Sequence, residues 1–355
     1  MEPRTAPGSA PHRRRGLALL PPWALTIAVL TGQAMAALDT SIVNVGGPSI
    51  QHNLHLSAAG LQLAIYSYVL VYAVALIVGA RLGGRYGYGR MFAWGTALFT
   101  VSSLACGLAV GPVMLVAARA AQGVGAALLV PQVLSLLQIT FVGEKRRRAL
   151  TLYGTILAVG VAAGQIIGGF LISANLFGAG WRPIFLVNVP LGVIVLAFSA
   201  GRLPAGSRSN RGRLDLVGAG LLAAAILALV TPLTFGNEAG WPAWCWPVME
   251  ASAVALLAFG IHENRLVRVG RDPLIHPALV APREVRAGLV GIFVLMGCYG
   301  GLLFTSALYL QHIQHYSPLR CGLTFAAYAG GFALTSLTWF RLPMGWHRAV
   351  PAISF

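Results

Sequence analysis

Charged residues are scarce in this sequence: they occupy 10% of its 355 positions, against roughly 25% in a soluble globular domain. Acidic residues are the scarcest, with 9 Asp and Glu against 25 Lys and Arg. With 57% hydrophobic residues and a mean hydropathy of +0.75, the deficit excludes a water-soluble globular enzyme. Cysteine is also sparse. Cys106, Cys245, Cys298 and Cys321 show no CxxC or CxxxH spacing, which excludes the common redox and metal motifs and leaves them as small packing residues. There is no HExxH-type sequence, no Ser/His pairing and no pair of intramembrane carboxylates, so an intramembrane enzyme is disfavoured and no cofactor or metal is implied. His52 and His55 lie in an expected outer loop, and a metal pair there is disfavoured.

Long apolar runs are abundant. At about 20 residues per crossing of a bilayer, ten candidate spans follow: Pro22 to Asn44, Ala58 to Gly79, Met91 to Val110, Val113 to Leu137, Leu150 to Ser173, Pro183 to Ala200, Leu216 to Phe235, Trp246 to His262, Ala287 to Tyr309 and Gly322 to Phe340. The fold class is therefore an all-α integral membrane bundle of about ten transmembrane helices. The first run follows Arg13, Arg14 and Arg15 and contains an A-x-A triplet at Ala34 to Ala36, but it is too long for a signal peptide and nine more runs follow it.

A net charge of +16 in a soluble protein points to nucleic acid. Here it reads as loop charge. With the N-terminus inside, 22 of the 25 Lys and Arg residues fall in inner segments, Arg182 and Arg320 in outer ones, and Arg119 within a span. Basic residues collect in short cytoplasmic loops, so the expected topology is multi-pass in the cytoplasmic membrane with a cytoplasmic N-terminus. The eight Trp residues all fall near predicted span ends, where indoles favour the interface. Longer inner stretches at Gly201 to Asp215 and Glu263 to Arg286 divide the helices into groups of six, two and two.

An ionisable residue at the centre of a spanning helix costs roughly 2.5 to 3.5 kcal/mol on the insertion scale and marks a cavity or a partner. Two such residues stand out. Asp39 lies about 25 Å above the inner face and Arg119 about 9 Å below the outer face, at a rise of 1.5 Å per residue, so both reach a similar depth in a core of about 30 Å. One reading is a structural ion pair between the first and fourth helices. The other makes Asp39 a proton carrier, because desolvation favours the neutral acid while a neighbouring cation favours the carboxylate. Glu250 begins its span about one turn from the interface and reads as snorkelling. Tyr66, Tyr68 and Tyr72 could stack on an aromatic cation or pack against lipid and helices.

Gly160, Gly164 and Gly168, with Gly169 beside them, form a small-residue face on the fifth helix that lets another helix approach closely. Taken with four other stretches, this face resembles the major facilitator superfamily, in particular its fourteen-span drug:proton antiporters. The stretches are Leu38 to Val45 with Pro48; Arg81-Leu82-Gly83-Gly84-Arg85-Tyr86-Gly87 through Arg90; Arg119 to Gly125; Gly160 to Gly169; and Trp181 to Pro190.

The resemblance implies a membrane-embedded acid at Asp39 coupled to Arg119. It implies an inner gate motif at Arg81, Gly83, Arg85, Gly87 and Arg90, an antiporter motif at Gly160, Gly164, Gln165, Gly168 and Gly169, and cavity candidates at Asn44, Gln122 and Gln165. Two departures stand out: Gly84 replaces the usual gate aspartate, and Gln165 replaces the usual proline.

The implied organisation is a basic N-terminus (1–21), a six-helix bundle (22–200), a linker (201–215), two inserted helices (216–262), an inner loop (263–286), the first two helices of a second bundle (287–340) and a tail (341–355). The family pattern needs four further spans after Phe340, so the sequence reads as truncated or as completed by another chain. The implied activity is proton-coupled efflux of an amphipathic small molecule, with lipid, proton and substrate as partners. The alternatives are a facilitative or uptake carrier and a non-transporting remnant.

Overall fold

The computed structural model describes residues 19–331 other than 176–177, 200, 205–214, 237–239, 318, 326 and 328–329. Most of the N-terminal segment and of the 201–215 linker, the far part of the tenth span and the tail lie outside the described residues. The described helices are α1 (Pro22–Leu54), α2 (Ala58–Tyr86), α3 (Tyr88–Gly107), α4 (Pro112–Thr140), α5 (Gly143–Ala174), α6 (Pro183–Leu186), α7 (Asn188–Ser199), α8 (Leu216–Phe235), α9 (Cys245–Arg268), α10 (Pro277–Val280) and α11 (Arg283–Leu308), the last running into a π-helical turn at Tyr309–Ile313. Residues 319–325 are helical again. Among the described residues, seven helices are long and apolar enough to cross a membrane.

Several helices outrun their apolar spans. α5 begins at Gly143, seven residues before its predicted span. The added turns hold Lys145 to Arg148, good helix formers, with Glu144 paired to Arg147 at 3.0 Å and Arg148 at 3.4 Å. The sixth predicted span is one apolar helical stretch, Pro183–Ser199, whose hydrogen-bond ladder is interrupted only at Val187, which keeps helical angles (φ −59°, ψ −28°) between α6 and α7. Pro190 lacks the N–H that would donate to the Leu186 carbonyl, and the ladder breaks just before it.

The helices are started by local chemistry. Pro22 and Pro112 occupy first-turn positions whose N–H groups have no intrahelical acceptor, and the Ser57 hydroxyl accepts the Gly60 N–H at 3.0 Å to cap α2. On α3, Thr96, Thr100 and Ser103 donate to the carbonyls of Phe92, Thr96 and Phe99, which satisfies their hydroxyls where no water is at hand.

α4 runs through the middle of the first helix group, packed on α2 and α3, while α5 packs along α1 and α7 closes on α3 and α1. α8 and α9 form a hairpin whose α8 lies against α2. Close approach comes from glycine at the α1–α5 seam, where an added methyl at Gly164 would meet the Leu38 carbonyl at 2.6 Å. The glycine face of the fifth helix thus grips the helix that carries Asp39, and the Ser41 hydroxyl crosses the same seam to the Val161 carbonyl at 2.6 Å.

The outer surface is apolar. Trp94, Val101, Leu257 and Phe293 are all more than 60% exposed, as lipid-facing residues are, while Asp39, Arg119, Gln122, Gln132, Gln165 and Asn188 are buried. Not every tryptophan is an interface anchor: Trp181 is 1% exposed, stands edge-on to Phe185 and donates its indole N–H to Asn53 Oδ1 at 3.2 Å. Its neighbour Arg182 ties α6 to the turn after α3 through the Ala109 carbonyl at 3.0 Å. Cys106, Cys245 and Cys321 are buried free thiols and Cys298 is exposed.

Candidate functional site

Four helices bring polar side chains to one point inside the first group. Asp39, midway along α1, is fully enclosed, and Arg119, two turns into α4, is 1% exposed. Arg119 Nη1 donates to Asp39 Oδ2 at 2.5 Å and to Gln122 Oε1 at 2.7 Å. Arg119 Nη2 reaches the Ile65 carbonyl of α2 at 3.4 Å. The other carboxylate oxygen, Asp39 Oδ1, accepts from Gln122 Nε2 at 2.8 Å and from Asn188 Nδ2 at 3.1 Å. Gln122 also donates to Ser103 Oγ on α3 at 2.8 Å. The guanidinium plane lies 4.5 Å from the Tyr68 ring centroid and 5.6 Å from that of Phe185, distances at which a ring face attracts a cation.

A charge pair removed from solvent is held only if its remaining donors and acceptors are met, and here three donors converge on one carboxylate. Two polar atoms of the cluster, Arg119 Nε and Asn188 Oδ1, have no protein partner, so the arrangement retains hydrogen-bonding capacity for a changed geometry. Asn188, Ser103 and the Ile65 carbonyl are members that the span reading did not single out. The signal for Asn188 was an amide inside an apolar run, and the packing of α7 on α1 brings it to Asp39. Tyr68, weighed as a stacking surface for an aromatic cation, faces the protein's own Arg119.

The three cavity candidates are not brought together around one space. Gln122 is consumed by the Asp39 network. Asn44 is half-buried on α1, five residues beyond Asp39 and outside that network. Gln165 is 1% exposed with both amide atoms unpartnered, beside Gly322, whose added methyl would meet the Gln165 carbonyl at 2.5 Å. A cavity of about 530 Å³ lies instead against α11, lined in part by Leu303, Thr305, Tyr309, Thr324 and Phe325.

The gate-motif residues gather at the end of the bundle that carries the basic loops. Gly87 joins α2 to α3 with a φ of 102°, a conformation that glycine adopts without strain. Gly83 is buried against Gln132 of α4, whose amide donates to the Gly79 carbonyl at 2.8 Å. Arg85 and Arg90 are exposed. Arg81 is the engaged arginine, donating to the carbonyls of Pro273 and Leu274, the latter at 3.0 Å. Gly84 has open space where its side chain would stand, so Gly84→Asp is expected to fold normally, with thermal stability unchanged or raised by about 0.5 kcal/mol, since glycine is a poor helix residue; a thermal melt of the variant beside the parent protein checks this.

Residues 29–354 match the family model for the Major Facilitator Superfamily. The chain belongs to that superfamily. It is a multi-pass membrane protein of a transporter family, not an enzyme. Among relatives, it is 38% identical over 325 residues to a probable actinorhodin transporter of Streptomyces coelicolor, covering 92% of this chain and 55% of that protein. It is 37% identical over 304 residues to a cephamycin export protein of Amycolatopsis lactamdurans, covering 84% of this chain and 61% of that one. It is 33% identical over 310 residues to a tetracenomycin C resistance and export protein of Streptomyces glaucescens, covering 85% and 55%. The chain thus spans a little over half the length of these relatives. Its fold resembles that of a POT family transporter solved with a thioalcohol-conjugated peptide, at a TM-score of 0.57 and 12% identity over 91% of this chain and 70% of that one.

Proposed function

We propose that this superfamily member forms part of a proton-coupled exporter of an amphipathic small molecule in the cytoplasmic membrane, with its N-terminus and basic loops on the cytoplasmic side. The observation that carries the reading is the enclosed Asp39–Arg119 pair with its Gln122 and Asn188 donors. A carboxylate placed in the bilayer and held by side chains from two other helices, α4 and α7, responds to any movement of those helices. When the donors withdraw, the desolvated carboxylate becomes a base; when they return, the proton is expelled. The sidedness is supported by the clustering of 22 of the 25 basic residues in alternate loops. The exported class follows from relatives named for the export of, or resistance to, antibiotics.

Linkage supplies the coupling. If protonation of Asp39 weakens substrate binding, substrate weakens proton binding by the same factor, and each proton crossing 100 mV delivers about 2.3 kcal/mol, enough for roughly a fiftyfold substrate gradient. The test is transport in inside-out vesicles carrying the complete protein: an imposed inward-acid pH gradient should concentrate an amphipathic aromatic antibiotic inside, and a protonophore should abolish this. Accumulation that ignores the protonophore overturns proton coupling, and equilibration without accumulation favours a facilitative carrier.

Gln165 supplies a second element. A buried amide with no partner costs about 1 to 3 kcal/mol, and its place on the α1–α5 seam beside residues 319–325 makes it a hydrogen-bonding contact for substrate in a state where the seam opens. Gln165→Leu, which keeps the volume and removes the amide, is expected to raise stability by about 1 kcal/mol while lowering export of hydroxyl-rich substrates several-fold. An unaltered substrate profile in a susceptibility panel would remove Gln165 from the transport path.

A further inference from the structure

Outside the Asp39 network, a second group of ionisable side chains is enclosed at the cytoplasmic end of the α8–α9 hairpin. Asp215 caps α8 by accepting the Gly218 N–H at 2.9 Å. His262 Nε2 lies 2.9 Å from the same Asp215 oxygen. Glu263, next along α9, is 2% exposed, and its Oε2 accepts the Ile275 N–H at 2.7 Å. The remaining oxygens, Asp215 Oδ2 and Glu263 Oε1, are buried and meet no donor, yet both crowd one point beside Gly218, where an added methyl would meet Asp215 Oδ2 and, at 2.7 Å, Glu263 Oε1. One proton shared between the two carboxyl groups would satisfy both oxygens and remove the repulsion between like charges.

The consequence reaches the gate motif. Glu263 fixes the segment through Ile275, and the two buried residues before it, Pro273 and Leu274, present their carbonyls to Arg81 of α2. The charged groups bearing on the site are Asp215 from the start of α8, His262 and Glu263 from α9, and Arg81 from α2 by way of those carbonyls. We propose that Asp215 and Glu263 form a second proton-binding site, facing the cytoplasm, whose single shared proton clamps the 273–275 segment and with it Arg81 of the gate loop.

Asp215 is the ionised partner: burial opposes its charge, but the Gly218 N–H, the His262 ring and the Glu263 carboxyl hold its carboxyl below the usual carboxylate range. Burial and the neighbouring Asp215 push the Glu263 carboxyl above the usual range against the opposing Ile275 and Leu274 N–H groups, so a shared proton is assigned to Glu263. Removing it in an alkaline cytoplasm sets two enclosed carboxylates against each other, Glu263 turns away, and Ile275 and Arg81 lose their anchors. The clamp is closed at lower cytoplasmic pH and open at higher.

The experiment is independent of transport, so its failure and that of the export reading are distinguishable. Hydrogen–deuterium exchange of the 270–280 segment is measured by mass spectrometry on the whole protein in nanodiscs, at one mildly acidic and one mildly alkaline pH, and corrected for intrinsic exchange. In the parent protein the Ile275 amide is expected to exchange at least tenfold faster at the alkaline pH. Glu263→Gln reproduces the protonated acid, accepting Ile275 while donating to Asp215, and should be slow at both pH values; Glu263→Ala should be fast at both. Equal exchange at both pH values in the parent protein overturns the proposal, as does fast exchange in Glu263→Gln. Loss of the pH difference in His262→Gln also overturns it, by making the imidazole the titrating group.

Discussion

Asp39→Asn is expected to abolish accumulation driven by a pH gradient, reducing it at least tenfold to the level left by a protonophore, while substrate still equilibrates down its own gradient. The amide matches the carboxylate in size and still accepts from Gln122 or Asn188 through its oxygen, so the cluster keeps its shape. What it cannot do is exchange a proton. Because the asparagine Nδ2 would point a donor at the Arg119 donor, the variant also loses the charge-assisted bond of 2.5 Å, and a fall in thermal stability accompanies the transport defect. Paired measurements in the same vesicles separate the two effects: equal loss of driven and passive movement marks a damaged protein, whereas selective loss of the driven component marks the coupling acid. Coupling at full strength in Asp39→Asn would refute the role.

The largest effect on stability is expected from Arg119→Leu. Removing one member of a buried ion pair leaves an uncompensated charge and costs about 3 to 5 kcal/mol, and this arginine also bridges Gln122, the Ile65 carbonyl and the Tyr68 ring. The single variant should accumulate poorly and melt well below the parent protein in detergent. The double variant Asp39→Asn/Arg119→Leu removes both charges, and replacing a buried pair by neutral groups is often close to neutral, so it should recover stability although it remains uncoupled. The test is the coupling energy of the double-mutant cycle, obtained from thermal unfolding of the four proteins. Simple additivity would mean that the two residues do not act as a pair.

Much of this architecture was legible in one dimension. α8 has the same ends in sequence and in structure, Leu216 to Phe235, because its apolar run is bounded by Asp215 on one side and by Gly236 on the other. α5 was harder. Its basic first turns are polar but helical, and hydropathy marks the membrane rather than the helix. The interruption at Val187 was missed because the run from Pro183 to Ala200 is apolar apart from Asn188 and Ser199, and only the missing N–H of Pro190 marks it. Trp181 misled for a related reason: closeness to a span end describes depth, not which way a side chain faces. The equal depth of Asp39 and Arg119 was also readable, since rise per residue is fixed.

The amino-acid sequence by itself determined that this chain is a bundle of membrane-crossing helices, which of its residues are ionisable at depth, and which superfamily it resembles. These properties are local, because insertion energies act residue by residue. Only the tertiary structure decided that Asp39 meets Asn188 from 149 positions away, that Gln122 is spent on the ion pair while Gln165 is left unpartnered, and that Arg81 is tied to a loop 192 positions further on. Those outcomes depend on how each helix is rotated about its axis and where it crosses its neighbours, and in a chain with apolar residues on nearly every face it is small-residue contacts such as Gly164 against Leu38, not hydropathy, that set the rotation.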